Sequence, residues 1–247
     1  MIRAVAAIFK RECRVHFFCL SNYLLAALLA AVSGLFFFSN VSSWSVAPHV
    51  SFDDMVSGPF FMNLCLITIA VSPLLSARAF TDEKRSGIFE LLFTYPIRDI
   101  EIVIGKWIAL LFQITFFLTL TSLAFGVIKV LGVDIHLKSI AVGYLGIWLI
   151  ASFALSIGLF FSATSQSQAL ALVLTFIALL FFWTNGWLAD LFFPRLGRLT
   201  SDFWIAYHMR EFASGILDTN RLLFYGLGSM LMLILSMLAL ELRVWRR

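Results

Sequence analysis

Long apolar runs alternate with short polar breaks along this chain, and the runs set its architecture. Stretches free of charged side chains cover 17–39, 60–77, 107–128, 139–161, 169–189 and 222–240. Each approaches the roughly 20 apolar residues that a helix rising about 1.5 Å per residue needs to cross a hydrocarbon core of about 30 Å. Lipid offers nothing to an unsatisfied backbone N–H or C=O, so a lone spanning segment must be helical. The pattern predicts an all-α integral membrane protein with six transmembrane helices in a single domain, 1–247. No charge separates the fourth run from the fifth, but Ser162, Thr164, Ser165, Gln166, Ser167 and Gln168 interrupt them, which predicts a tight turn rather than one bent helix.

The remaining segments carry patterns of their own. In 1–16, Ile2, Val5, Ile8 and Phe9 are set against Arg3, Lys10, Arg11 and Arg14, which predicts an interfacial amphipathic helix; a basic tail is the alternative. The apolar run that follows is longer than the core of a cleaved signal peptide. In 190–221, Phe203, Ile205, Met209, Phe212, Ala213 and Ile216 recur at helical spacing, with Pro194 and Gly197 before them and Gly215 near the end. This predicts an extracytoplasmic helix resting on the outer face. Lys and Arg near the run ends settle the orientation: Arg3, Lys10, Arg11, Arg14, Arg78, Lys84, Arg85, Arg98, Lys106, Arg243, Arg246 and Arg247 fall on one side of a six-span chain, about twice as many as on the other. Both termini are expected to be cytoplasmic.

Composition agrees with membrane burial and narrows the chemistry. Charged residues make up 13% and hydrophobic ones 61% of 247 residues, where a soluble domain carries about 25% charged residues. Cys13, Cys19 and Cys65 lack metal-ligand or disulfide spacing, and His16, His49, His136 and His208 are scattered, so no metal site is expected. Asp53 and Asp54 with His49 form the sole acidic grouping with a histidine and suit a solvated outer loop better than a lipid-directed active site. The net charge of +4 reflects the basic inner face and its anionic lipids rather than a nucleic acid.

The segment 78–106 is a charged island between the second and third runs. Ionised side chains at the bilayer centre cost about 2.5 to 3.5 kcal/mol each, so the island is expected in water. Asp82 and Glu83 suit the start of a short helix, Gly87 a flexible or tightly packed point, and Ile88, Phe89, Leu91, Leu92 and Phe93 around Glu90 a greasy face ended before Pro96. A solvated turn fits the same residues. The order Pro73-Leu74-Leu75-Ser76-Ala77-Arg78, then Asp82-Glu83-Lys84-Arg85-Ser86-Gly87, then Glu90-Leu91-Leu92-Phe93-Thr94-Tyr95-Pro96, then Gly105-Lys106, resembles permeases of the ABC-2 type, above all the gliding-type (GldF-like) group. Lys10-Arg11-Glu12 before the first span, and the stretch from Tyr207 through His208, Met209, Arg210, Glu211, Phe212, Ala213, Ser214 and Gly215 to Ile216 before the last, are similar to that group's flanking segments. Asp82, usually Glu, and Ile88, usually Thr, depart from it.

The resemblance implies the permease subunit of an ATP-binding-cassette transporter of a bacterial inner membrane, multi-pass. Two copies, or one copy and a paralogue, would sit on cytosolic ATPase subunits, with an extracytoplasmic accessory subunit in some assemblies. ATP and Mg would bind in the partner, with no cofactor on this chain, which carries no GxxxxGK[ST] loop and is not expected to be an enzyme. A cytoplasmic coupling helix between spans 2 and 3 would meet the ATPase through Thr81, Asp82, Glu83, Lys84, Arg85, Gly87, Glu90, Leu91, Leu92 and Pro96. Within the spans, Asn63, Thr68, Ser72 and Ser76, and Gln113, Thr115, Thr119 and Ser122, fit either a pathway or helix packing, and packing is the commoner use. Pro73 is expected to bend the second span. No repeated acidic position marks an ion-driven carrier, and the greasy walls favour export of a lipidic, polymeric or amphipathic substrate. A non-transport membrane scaffold or assembly factor docking a cytosolic protein is the alternative.

Overall fold

The computed structural model describes residues 2–46, 51–85, 98–133, 135–192 and 203–244. All regular structure among them is helical: α1 (Ile2–Phe18), α2 (Leu20–Val46), a π-helical turn (Asp53–Ser57), α3 (Gly58–Ser76), α4 (Arg78–Arg85), α5 (Asp99–Val130), α6 (Leu137–Thr164), α7 (Gln168–Phe192), α8 (Ile205–Ala213) and α9 (Thr219–Val244). Six of these segments are long and apolar enough to cross a membrane, with windows in Asn22–Val46, Asp53–Arg85, Asp99–Val130, Leu137–Thr164, Gln168–Trp187 and Thr219–Glu241. The six expected spans are all present. Several helices outrun the charge-free runs that predicted them, because a helix continues into polar residues wherever its caps and neighbours allow. Thus α5 starts eight residues early, at Asp99, where acidic Asp99 and Glu101 favour the first turn and the Arg98 N–H donates to Glu101 Oε2 at 3.3 Å.

Two breaks deserve their physical reasons. Between α6 and α7, Ser165–Ser167 forms the expected turn, and Ser167 Oγ accepts the Leu170 N–H at 3.2 Å as an N-cap. After α3 the helix ends at Ala77, whose N–H still reaches Pro73 O at 3.0 Å before α4 departs.

The bundle is organised around α6, which packs against α3, α5, α7, α8 and α9. Buried residues fill 72% of its apolar window, against 17% to 22% for α2, α7 and α9, so α6 is the core helix and those three face outward. With lipid as greasy as leucine, close packing rather than apolar burial must hold such helices together. Aromatic edges supply much of it: Phe37 meets Phe60 and Phe125 at 5.4 and 5.1 Å, and Phe61 meets Tyr144 at 5.2 Å, joining α2, α3, α5 and α6. Edge-to-face pairs contribute about 0.5–1.5 kcal/mol each beyond area burial.

The helix expected to rest on the outer face lies deeper than that. Ile205, His208, Met209 and Phe212 of α8 are fully buried against α6, α3 and α7. An apolar helical stripe reads the same whether it rests on a surface or plugs the end of a bundle. Gly215 ends α8 with φ +79°, and the Ile216 N–H returns to Glu211 O at 3.1 Å, a left-handed cap that glycine adopts without strain. Ile216, expected on the buried stripe, is exposed beyond that cap.

Candidate functional site

Among the described residues, part of the charged island is buried within the protein. Its first described part, α4, lies where the start of α5 and the end of α6 come together, and two separate sets of polar contacts hold it there. The first is a four-charge cluster. Lys106 Nζ, at the start of α5, is 3.0 Å from Glu12 Oε1 of α1 and 3.0 Å from Glu83 Oε1 of α4. Arg11 donates to Glu12 Oε1 at 3.0 Å and also pairs with Glu83. Lys106, Glu12 and Glu83 are buried while Arg11 is half-exposed, and two cations balance two carboxylates. The buried Phe80 ring also faces Lys106, with Nζ 5.3 Å from its centroid. Desolvation of such a cluster is offset only because each charge meets an opposite one at contact distance.

The second set fastens α4 to the α6–α7 turn. Lys84 Nζ donates to Ser162 O, Ala163 O and Ser165 O at 2.8, 2.7 and 2.9 Å, capping the negative end of α6. Ser162 Oγ accepts the Phe80 N–H at 3.0 Å and donates to Ala77 O at 3.0 Å. Thr81 is fully buried, with its hydroxyl on Ala77 O at 2.7 Å. The expected docking residues therefore divide. Glu83, Lys84 and Thr81 are turned into the protein, whereas Asp82 and Arg85 are exposed. Asp82 and Glu83 sit in mid-helix rather than at a start, since α4 begins at Arg78. Gly87, Glu90, Leu91, Leu92 and Pro96 lie outside the described residues.

α1 completes the junction by packing along the first turns of α5. A Cβ on Gly105 would lie 2.8 Å from Ile8 Cγ2, so glycine at this position sets how closely the two helices approach. Phe9 and Phe17 meet Phe112 at 5.8 Å. The isolated sequence gave no sign that Lys106 and Glu12 were partners, although the motif stretches Lys10-Arg11-Glu12 and Gly105-Lys106 contain both.

The sequence matches the family described as ABC-2 family transporter protein over residues 14–192, more than half of its length. The chain belongs to the ABC-2 family. Members are the membrane permease subunits of ATP-binding-cassette transporters, multi-pass and non-catalytic, with the ATPase in a cytosolic partner. No curated protein matches the chain.

In this ABC-2 permease the polar residues of the spans serve mainly their own helices. Thr68, Ser72 and Ser76 donate to Leu64 O, Thr68 O and Ser72 O at 2.7–2.8 Å, and Thr119 donates to Phe116 O at 2.7 Å. Asn63 is half-buried, and Gln113 is buried on α5. Interhelical contacts include Ser152 Oγ, 3.1 Å from Ser229 Oγ, and Trp148 Nε1, which donates to Thr115 Oγ1 at 3.2 Å.

A second polar cluster stands at the far end of α6, where α8 and α9 meet. Arg221 Nε is 3.1 Å from Glu211 Oε2, and Arg221 Nη1 donates to His208 Nε2 at 2.9 Å. Because arginine only donates, Nδ1 carries the histidine proton and donates to Tyr225 Oη at 2.8 Å. The spacing Arg221 to Tyr225, one turn apart, was visible in sequence; their meeting with His208 was not. Among the described residues no three His, Cys, Asp or Glu side chains are grouped to hold a metal.

Proposed function

We propose that this permease is an exporter of the gliding-type group, with α4 seating the coupling segment against a cytosolic ATPase. The observation that carries this is the double fastening of α4: a push on the segment at 86–97 passes through the charge cluster to α1 and α5, and through Lys84 and Ser162 to α6 and α7. ATP-driven closure of the partner would thus reach four helices by rigid contacts, the kind of packed switch that turns a local displacement into a domain motion. The α4 end of the bundle also carries Arg3, Lys10, Arg14, Arg78, Arg85 and Arg98, which supports placing it and both termini in the cytoplasm of a bacterial inner membrane. A second permease copy or paralogue would complete the translocation path, with ATP and Mg in the ATPase and, in some assemblies, an accessory subunit outside. The greasy spans, most of whose hydroxyls bond back to their own helices, favour a lipidic, polymeric or amphipathic substrate.

The test is purification of the tagged chain from its host membranes in mild detergent, with an ATPase assay. A stoichiometric ATP-binding subunit with activity is expected. Asp82→Arg, on the exposed face of α4, should leave the chain monodisperse and weaken that association at least about fivefold, as loss of a charge pair between subunits does. A monodisperse chain without any ATP-binding partner contradicts this reading and favours a membrane scaffold.

A further inference from the structure

The apolar side of α1 is covered by α5, which leaves its charged side outward. Ile8 is buried beside Gly105, and Phe17 meets Phe112 and Phe116 at 5.8 and 5.4 Å, so the two helices run side by side in one direction. Arg3, Ala7, Lys10 and Arg14 recur at helical spacing as an exposed row, and Glu12, the one acid of α1, is buried away from it. Among the described residues no ion pair engages Lys10 or Arg14. The row therefore presents cations that this chain does not neutralise.

The row stops where the apolar layer starts. Lys106 is the last charged residue before the charge-free run of α5, and its Nζ is 3.0 Å from Glu12 Oε1. Arg14 lies two residues, about 3 Å, further along α1, and no Lys, Arg, Asp or Glu follows it until Asp53. The two helices thus lose their charges at one level, which is the level of the headgroups. Past Arg14 the outward side chains turn apolar, and Val15, Phe18 and Leu20 are each more than half exposed. Cations followed at once by apolar side chains repeat the order of a phospholipid, headgroup and then chain. A cytosolic protein would match the cations alone, whereas a lipid matches both parts.

We propose that the outward row of α1 binds an anionic phospholipid, with Lys10 and Arg14 donating to its phosphate oxygens and an acyl chain lying along Val15, Phe18 and Leu20. Arg11, half-exposed and paired with Glu12 and Glu83, joins this row to the charge cluster, so the bound lipid steadies the junction that fastens α4. Which leaflet supplies the lipid rests on the orientation proposed above; binding itself does not, because the purified chain meets the lipid without an ATPase.

The experiment offers the purified full-length chain equal amounts of dioleoylphosphatidylglycerol and dioleoylphosphatidylcholine, which share their chains and differ in headgroup charge, and reads the bound lipids by native mass spectrometry. Wild type is expected to prefer the anionic lipid at least about tenfold, since each cation near a headgroup contributes about fivefold. Lys10→Gln with Arg14→Gln should bring that ratio below about twofold. Arg78→Gln with Arg85→Gln, which removes two exposed cations from α4, should leave it within about twofold of wild type. A ratio measured within one preparation does not depend on how much of a variant folds. Equal uptake of the two lipids by wild type, an undiminished preference in the α1 variant, or an equal loss in the α4 variant would each overturn the proposal. So would capture of the ATP-binding subunit by p-benzoylphenylalanine at position 14 in cells, which would assign this face to the ATPase.

Discussion

Lys106 bridges two carboxylates inside the protein, and its removal leaves both buried groups to the half-exposed Arg11 alone. Lys106→Met should lower stability by about 3–5 kcal/mol, the usual consequence of breaking a buried pair from one side, read as a drop in the thermal midpoint in detergent. Glu12→Gln added to Lys106→Met should cost less than the sum of the two single changes, because neither then leaves the same charge unpaired. His16, four residues beyond Glu12, gives the junction a pH dependence. Its folded pKa lies below the ordinary value of about 6.5, chiefly through burial, so the unfolded chain binds the proton more readily. Stability is therefore full above about pH 6.5 and declines as acidification passes through the folded pKa. Thermal midpoints between pH 7.5 and 5 should fall for wild type and fall less for His16→Gln. None of these partnerships was legible residue by residue. Arg11, Glu12, Glu83 and Lys106 could each be read as charges near a membrane end, but an ion pair across 94 positions, such as Glu12 with Lys106, leaves no local pattern.

Among the elements, the spans were legible because lipid imposes length and composition together, and the turn at Ser165 was legible because too many hydroxyls and amides fell in one place. Interior positions were harder to read. The apolar stripe of α8 predicts a helix without saying which surface covers it, and burial of Met209 and Phe212 depends on α6 and its neighbours. The pairing of α1 with α5 depends likewise on the bare face of Gly105 beneath Ile8. Gly105→Val should push α1 away, because its Cβ alone would lie 2.8 Å from Ile8 Cγ2 before the added methyls are counted. Hydrogen exchange should then show α1 losing protection by at least about tenfold while α6, at the centre of the bundle, keeps its own. Retained protection across Ile2–Phe18 would show that α1 is held by something other than this contact.

At the scale of the whole molecule, α6 links two polar centres. Ser162 and Lys84 meet at its C-terminal end, and α8 with the His208, Arg221 and Glu211 cluster packs near its N-terminal end. At about 1.5 Å per residue, the 28 residues of α6 separate the two by about 40 Å, the thickness of a bilayer with its headgroups. The basic excess at the α4 end carries the assignment of sides, and the coupling role of α4 depends on that assignment. The most direct measurement places the photo-crosslinker p-benzoylphenylalanine at Asp82 on α4 or at Ile216 beyond α8, both exposed, in cells that make the intact transporter. The account predicts that the probe at position 82 captures the ATP-binding subunit and that the probe at position 216 does not. Capture of that subunit at position 216, or its absence at position 82 while the subunit co-purifies, would contradict the account.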